Sequence, residues 1–132
     1  MTEIERDKTA ISGTGLDPQF AAALAYLAGP FSGMTILLAE RTNRFVRFHA
    51  WQAIIGLGGL GLLATLLLLF AFLGLFLSPL AFTALYWLAG LTAVATLLAW
   101  GICLVKAFGG SVWKLPIAGN YAERRARSQR PT

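Results

Sequence analysis

Apolar residues run along this chain in long unbroken blocks rather than in strand-like alternation. No Asp, Glu, Lys or Arg lies between Arg47 and Lys106, and the single histidine, His49, sits at the near edge of that block. As helix, at about 1.5 Å per residue, the block would reach roughly 80 Å, whereas one crossing of bilayer hydrocarbon takes about 30 Å. Two crossings therefore fit. They should part at Ser78-Pro79, because proline has no N–H for the helical ladder. Lipid cannot satisfy exposed backbone groups, so both segments must be helices. The pattern predicts spans over about 50–77 and 80–105. Each exceeds the roughly 20 residues that suffice, so tilt or protrusion into the headgroups is expected.

An earlier apolar stretch, Phe20 to Ala39, also has about the length of one span. Asp17-Pro18 opens it, an N-cap residue followed by proline at the first helical position. Gly29-Pro30 interrupts it at the middle. A proline there removes a hydrogen bond and kinks the helix, which a membrane tolerates when neighbours re-satisfy the backbone. The predicted fold is thus an all-α integral membrane protein with three transmembrane helices, the first kinked at Gly29-Pro30. The alternative for that first segment is a re-entrant hairpin of two half-helices. A polar, acidic segment (1–19) precedes the membrane domain (20–106), and a juxtamembrane segment with a basic cytoplasmic tail (107–132) follows it.

Composition agrees with this reading. Of 132 residues, 57% are hydrophobic and 13% charged, with mean hydropathy +0.66. A soluble domain carries about 25% charge, so too little polar surface is present for a water-soluble globule. The same apolar content excludes a disordered chain. One cysteine excludes a disulfide scaffold and a thiolate metal cluster. The first 17 residues lack the basic and apolar regions of a signal peptide, and no cleavable leader is expected.

The positions of the charges predict orientation. Residues 1–19 carry Arg6 and Lys8 against Glu3, Glu5, Asp7 and Asp17, a net of −2. The next connection carries Arg41, Arg44 and Arg47 against Glu40, a net of +2. From Lys106 onward, Lys106, Lys114, Arg124, Arg125, Arg127 and Arg130 stand against Glu123, a net of +5. With three spans, the connection and the tail share the cytoplasmic side and the N-terminus lies outside. A re-entrant first segment would bring the N-terminus inside as well, still in keeping with the charge rule.

Helix association in lipid depends on close packing. Ala21, Ala25, Gly29 and Gly33 recur every four residues in the first segment. Ala89, Thr92, Thr96, Ala99 and Cys103 recur at threes and fours in the last. Both stripes are candidate packing seams, which makes Cys103 a buried structural thiol. Gly56, Gly58, Gly59 and Gly61 allow close approach early in the middle span, while Leu66 to Phe76 suits lipid. Trp51, Trp87, Trp100 and Trp113 fall toward span ends and read as interfacial anchors.

The most distinctive segment is Asn43-Arg44-Phe45-Val46-Arg47-Phe48-His49-Ala50-Trp51-Gln52. As a helix it lines up Phe45, Phe48 and Gln52 on one side and Arg44, Arg47 and Trp51 on another. One reading is an interfacial helix start whose guanidinium groups reach phosphates. The sharper reading is that His49 and Gln52, one turn apart, make a polar contact to another span or a partner. A single histidine without nearby cysteine or carboxylate cluster predicts no metal, and no cofactor is expected.

This segment, with Ala23-Leu24-Ala25-Tyr26-Leu27, Gly33, Lys106-Ala107-Phe108 and Trp113-Lys114-Leu115-Pro116-Ile117-Ala118-Gly119, resembles the small bacterial DUF4870 family, also called UPF0132. That family is similar to Tic20-type chloroplast import components and to MamF-like magnetosome membrane proteins. The resemblance covers about residues 20–123. It implies a multi-span membrane protein without established catalytic activity, placed beside a protein-translocation pore or in a specialised membrane compartment.

Lys106 followed by Gly109-Gly110 ends the last span as a helix C-terminus would. Trp113 to Ile117 is suited to lie back on the membrane surface. Lys106, Lys114, Arg124, Arg125, Arg127 and Arg130 are candidate contacts to anionic lipid headgroups. No stacking platform accompanies them, so nucleic acid is not expected as a partner. The spans hold no acid–base pair and no carboxylate relay, which weighs against an enzyme and against a proton-coupled transporter. The expected function is a non-enzymatic component of a homo-oligomer or larger membrane complex in a bacterial plasma membrane. The alternative is an oligomeric pore or small-solute channel lined by Thr92, Thr96 and the small-residue faces.

Overall fold

A computed structural model describes residues 3–128. A short helix α1 (Glu3–Arg6) and a 3-10 turn (Asp7–Thr9) lead to α2 (Pro18–Leu27) and α3 (Pro30–Ala39). Next come α4 (Arg44–Gln52), a π-helical turn (Ala53–Leu57) and α5 (Gly58–Gly74), followed by α6 (Pro79–Phe108) and α7 (Ala118–Ser128). Among the described residues there is no strand.

The stretch from α4 through α5 is one unbroken helix of 31 residues, Arg44–Gly74, and α6 is a second of 30. These two are long and apolar enough to cross a bilayer. Local chemistry sets their ends. Asn43 caps α4 by accepting from Val46 N–H at 3.2 Å. Ser78 caps α6 by accepting from Ala81 N–H at 3.1 Å, with Pro79 in the first turn, so the chain breaks where proline predicts it. The pair packs through small residues: a Cβ on Gly74 would stand 3.2 Å from Phe82 N. Ala71 and Ala89 are buried between the helices. Leu69, Leu73, Phe76, Leu91 and Leu98 point outward and are more than half exposed, as lipid-facing residues would be.

The first apolar segment departs from the favoured expectation. It is not a kinked span but two ten-residue helices, each about 15 Å long, half of one crossing. Its contacts trace its path. Phe20 stacks near Phe108, centroids 6.3 Å apart. About two turns further, Tyr26 O accepts from Trp100 Nε1 at 2.7 Å. The turn then lies against the start of α5, where a Cβ on Gly58 would meet Pro30 at 3.2 Å. On the way back Gly33 presses on Ala50 and Ala53, and Glu40 O accepts from Arg47 Nη1 at 2.6 Å. The chain therefore descends beside α6 and returns beside α4 to the end where it began. The physical reason is Gly29, whose φ of 60° and ψ of −127° belong to a region open essentially to glycine alone. Pro30 adds the loss of an N–H. Ser32 then closes the freed backbone: its Oγ accepts from Ala28 N–H at 2.9 Å and donates to Ala25 O at 2.9 Å.

Gly29 is accordingly the turn and not a member of a packing stripe, and its Cα faces open space. Ala21 and Ala25 are buried on α2, and Gly33 is buried on α3. The expected single stripe is thus divided between two helices. On α6, Ala89 and Cys103 are buried, and Thr92, Thr96 and Ala99 are half-buried on the same line. Ala107 continues it.

The densest packing lies at one end of the molecule. There Ile4, Tyr26, Phe45, Phe48, Cys103, Ala107, Leu115 and Ala122 join in one cluster.

Candidate interaction site at the charged end

α4 is the axis of this end. The hairpin covers one side of it and α7 another, so its aromatic and polar side chains face inward. Phe45, Phe48, His49 and Gln52 are all buried. The His49 ring is held edge-on by Phe45, Phe48 and Tyr26, with centroids 4.7, 5.0 and 5.6 Å away.

Gln52 organises the polar network. Its Oε1 accepts from Leu115 N–H at 3.2 Å, and its Nε2 donates to Trp113 O at 3.0 Å. The amide thereby reads two backbone groups of the segment after α6, which fixes its orientation. Nε2 also donates to Tyr26 Oη at 3.1 Å and lies 3.8 Å from Cys103 Sγ. The Tyr26 hydroxyl also shares a hydrogen bond with His49 Nδ1 at 2.9 Å. His49 and Gln52 make these polar contacts within the chain, to the hairpin and to the segment after α6.

A second network ties the N-terminal segment to the α3–α4 connection. Glu40 is fully buried. Its Oε1 accepts from Thr42 N at 2.9 Å, Thr42 Oγ1 at 3.1 Å and Asn43 N at 2.8 Å, while Oε2 accepts from Ser12 Oγ. Burial pushes this carboxyl up, but the hydrogen bonds from Asn43, Ser12 and Thr42 outweigh it and hold the group below the usual carboxylate range. Asn43 Nδ2 donates to Asp7 O at 2.7 Å and Ala10 O at 3.2 Å. Arg44 N donates to Asp7 Oδ2 at 2.9 Å, and Arg44 Nη1 pairs with Glu3 at 2.8 Å. Arg47, expected to reach lipid phosphates, is instead 6% exposed and spends Nη1 on Glu40 O. The reason is its place on α4, one turn from Asn43 and beneath the returning α3.

The third part is α7. Ala118, Ala122 and Ala126 face inward, and a Cβ on Gly56 would come 3.4 Å from Ala118 Cβ and 2.6 Å from Leu115 Cδ1. Within Trp113 to Ile117, Leu115 is buried where Gln52 and Gly56 receive it, Trp113 is half-buried, and Lys114, Pro116 and Ile117 are exposed. Lys106, Lys114, Arg124, Arg125 and Arg127 are exposed; Arg130 lies outside the described residues. Glu123 pairs with Lys114 and with Arg127 at 2.6 Å, and the Lys114 hydrogen bond is the main reason its carboxyl is held below the usual range. Of the tryptophans read as interfacial anchors, Trp100 donates to the hairpin and Trp51 lies under Arg125, 5.6 Å from the ring centroid.

Sequence reasoning missed Tyr26, Glu40, Asn43 and Ser12 as members of these networks. Glu40 entered only as one charge among others, though an isolated acid beside three arginines was a usable signal.

The chain matches no family model, and no solved structure matches it. Among curated sequences it is 37% identical over 111 residues to a UPF0132 membrane protein of Methanocaldococcus jannaschii, covering 83% of this chain and 89% of that one. A UPF0132 membrane protein of Archaeoglobus fulgidus is 36% identical over 105 residues, covering 80% and 91%. Another from Methanocaldococcus jannaschii is 33% identical over 114 residues, covering 86% and 73%. These relatives are archaeal, whereas the sequence reading expects a bacterial membrane; what they share with it is the membrane itself. Matches of this strength over nearly the whole length make the chain a member of the UPF0132 membrane protein family.

Proposed function

We propose that this protein is a two-span, non-enzymatic membrane component that assembles laterally with itself or within a larger membrane complex. The observation that carries this is where its polar groups are spent. Thr92 Oγ1 and Thr96 Oγ1 donate to Leu88 O at 2.8 Å and Thr92 O at 2.7 Å within α6. The Gln52 amide is taken up by the backbone at Trp113 and Leu115. Meanwhile only 17% of the most apolar window of each long helix is buried within the chain. What α5 and α6 offer their surroundings is therefore apolar side surface, suited to lipid and to other helices. By the Tic20-type resemblance, the complex it joins is one that moves polypeptides through a membrane.

In this reading the α2–α3 hairpin enters the bilayer boundary and returns, so both termini lie on the cytoplasmic side. Supporting it, Glu3, Asp7 and Ser12 touch Arg44 and Glu40, at the same end as α7. All eleven Lys and Arg residues then share one side, in keeping with the positive-inside tendency. This replaces the external N-terminus expected for three spans.

Crosslinking in native membranes followed by mass spectrometry tests the assembly reading. Reproducible links from α5 or α6 to a second copy or another membrane protein are expected. Recovery of uncrosslinked monomer alone would overturn it.

A further inference from the structure

Among the described residues, Ile117 is the non-glycine residue with a positive φ, at 67°. A β-branched side chain is strained there. Its side chain is also 87% exposed. In water neither feature is compensated. The turn that creates it is tight: Ala118 N donates to Pro116 O at 2.7 Å and Gly119 N to Leu115 O at 2.9 Å. A Cβ on Gly119 would lie 2.5 Å from Lys114 Cβ, so only glycine lets the turn close. The result is an isoleucine held outward at the start of α7.

Its level in the fold gives this a meaning. Ala118 packs beside Gly56, and Pro30 of the hairpin turn packs beside Gly58. Ile117 thus stands at the depth the hairpin reaches, where the charge-free length of α5 begins. From there α7 runs back along α4 with Ala122 and Ala126 inward and its arginines outward. Arg125 is preset: Nε and Nη2 donate to Tyr121 Oη at 2.9 and 2.7 Å, and its guanidinium carbon lies 5.2 Å from the Tyr121 ring centroid. Glu123 is occupied by Lys114 and Arg127. Arg124 makes no ion pair among the described residues.

We infer that Ile117 and the outer face of α7 form a binding site for anionic phospholipid headgroups. Ile117 seats among the acyl chains, while Arg124 and Arg125 receive the phosphate of a lipid at the cytoplasmic surface. Planar guanidinium groups suit phosphate oxygens, and the Tyr121 hydroxyl engages Nε and Nη2 of Arg125 without using Nη1. The chemistry required is a phosphate anchored in a bilayer, because the isoleucine needs the acyl boundary as much as the arginines need the charge. The inference uses the membrane residence of the family and is independent of the assembly reading.

Full-length protein reconstituted in phosphatidylcholine vesicles, with spin-labelled phosphatidylglycerol or spin-labelled phosphatidylcholine as probe, tests it. The wild type should hold the anionic probe roughly twenty-five-fold more strongly than the neutral one, about fivefold for each of the two arginines, and high salt should reduce the ratio. Arg124→Gln should lower it about fivefold, an amount typical of one basic residue near an anionic surface. Arg124→Gln with Arg125→Gln should bring it close to one. Ile117→Gly should leave the thermal midpoint in detergent unchanged or higher, since the strain is relieved, yet weaken selection of the anionic probe. Soluble glycerol phosphate should not compete. Equal retention of both probes by the wild type would overturn the site, as would undiminished selectivity in folded Arg124→Gln and Ile117→Gly proteins. Full competition by glycerol phosphate would reassign it to a soluble phosphate.

Discussion

At the scale of single residues, buried polar side chains hold the charged end together. Gln52 is the clearest case, because both ends of its amide bond the backbone around Leu115. Gln52→Ala would leave Trp113 O and Leu115 N–H without partners, and stranding such groups costs about 1–3 kcal/mol each. We expect a lower thermal midpoint in detergent and faster tryptic cleavage at Lys114; an unchanged cleavage rate would contradict this role. Glu40 makes a second, pH-dependent case. Its folded carboxyl is held below the usual range, so its stabilisation is complete above that range and fades as pH falls through and below it. Wild-type protein should keep its thermal stability from neutral pH down to about pH 5 and lose it as pH falls further, through and below the usual carboxylate range. Glu40→Gln should start lower at neutral pH and lose less, the residual slope coming in part from Glu123. The sequence announced Gln52 and His49 as unusual polar residues beside an apolar span. It could not announce their partners, because Tyr26 and Leu115 lie 26 and 63 positions away and only the folded path brings them close.

At the scale of elements, long helices were legible and the reversal was not. The charge-free block and Ser78-Pro79 specify α5 and α6 by length and by a missing donor, both local properties. Gly29-Pro30 is equally visible, but a kink and a turn share the same residues. The choice falls to contacts made elsewhere, by Trp100 with Tyr26 and by Ala50 with Gly33. Glycines separate the same way. A Cβ on Gly33 would meet backbone at 3.0 Å, Ala50 O, whereas one on Gly59 would face open space. Gly33→Leu should disrupt docking of α3 on α4 and lower the thermal midpoint by several degrees. Gly59→Ala should raise stability by about 0.5–1 kcal/mol through helix propensity alone. Thermal unfolding of the two variants in one detergent compares them directly, and equal effects would contradict the assigned packing.

At the scale of the whole molecule, charge and apolar surface are divided between two ends. If both termini share a side, cysteines introduced as Ile11→Cys and Asn120→Cys should behave alike in intact cells. Both should resist a membrane-impermeant thiol reagent and react once the membrane is opened, with buried Cys103 giving little background. Labelling at position 11 from outside, with position 120 protected, would restore three crossings. The other end is the turn between α5 and α6, where Phe76 and Leu77 are 88% and 84% exposed and no charged residue lies for almost thirty positions on either side. Such a turn changes how the protein can enter its membrane. With no charged side chain to carry across the hydrocarbon, where each would cost about 2.5–3.5 kcal/mol, α5 and α6 can enter together as a hairpin from the side that keeps both termini. Insertion would then proceed without exporting a polar segment, and Leu77→Lys should slow it in a cell-free membrane-insertion assay while Leu77→Ala does not.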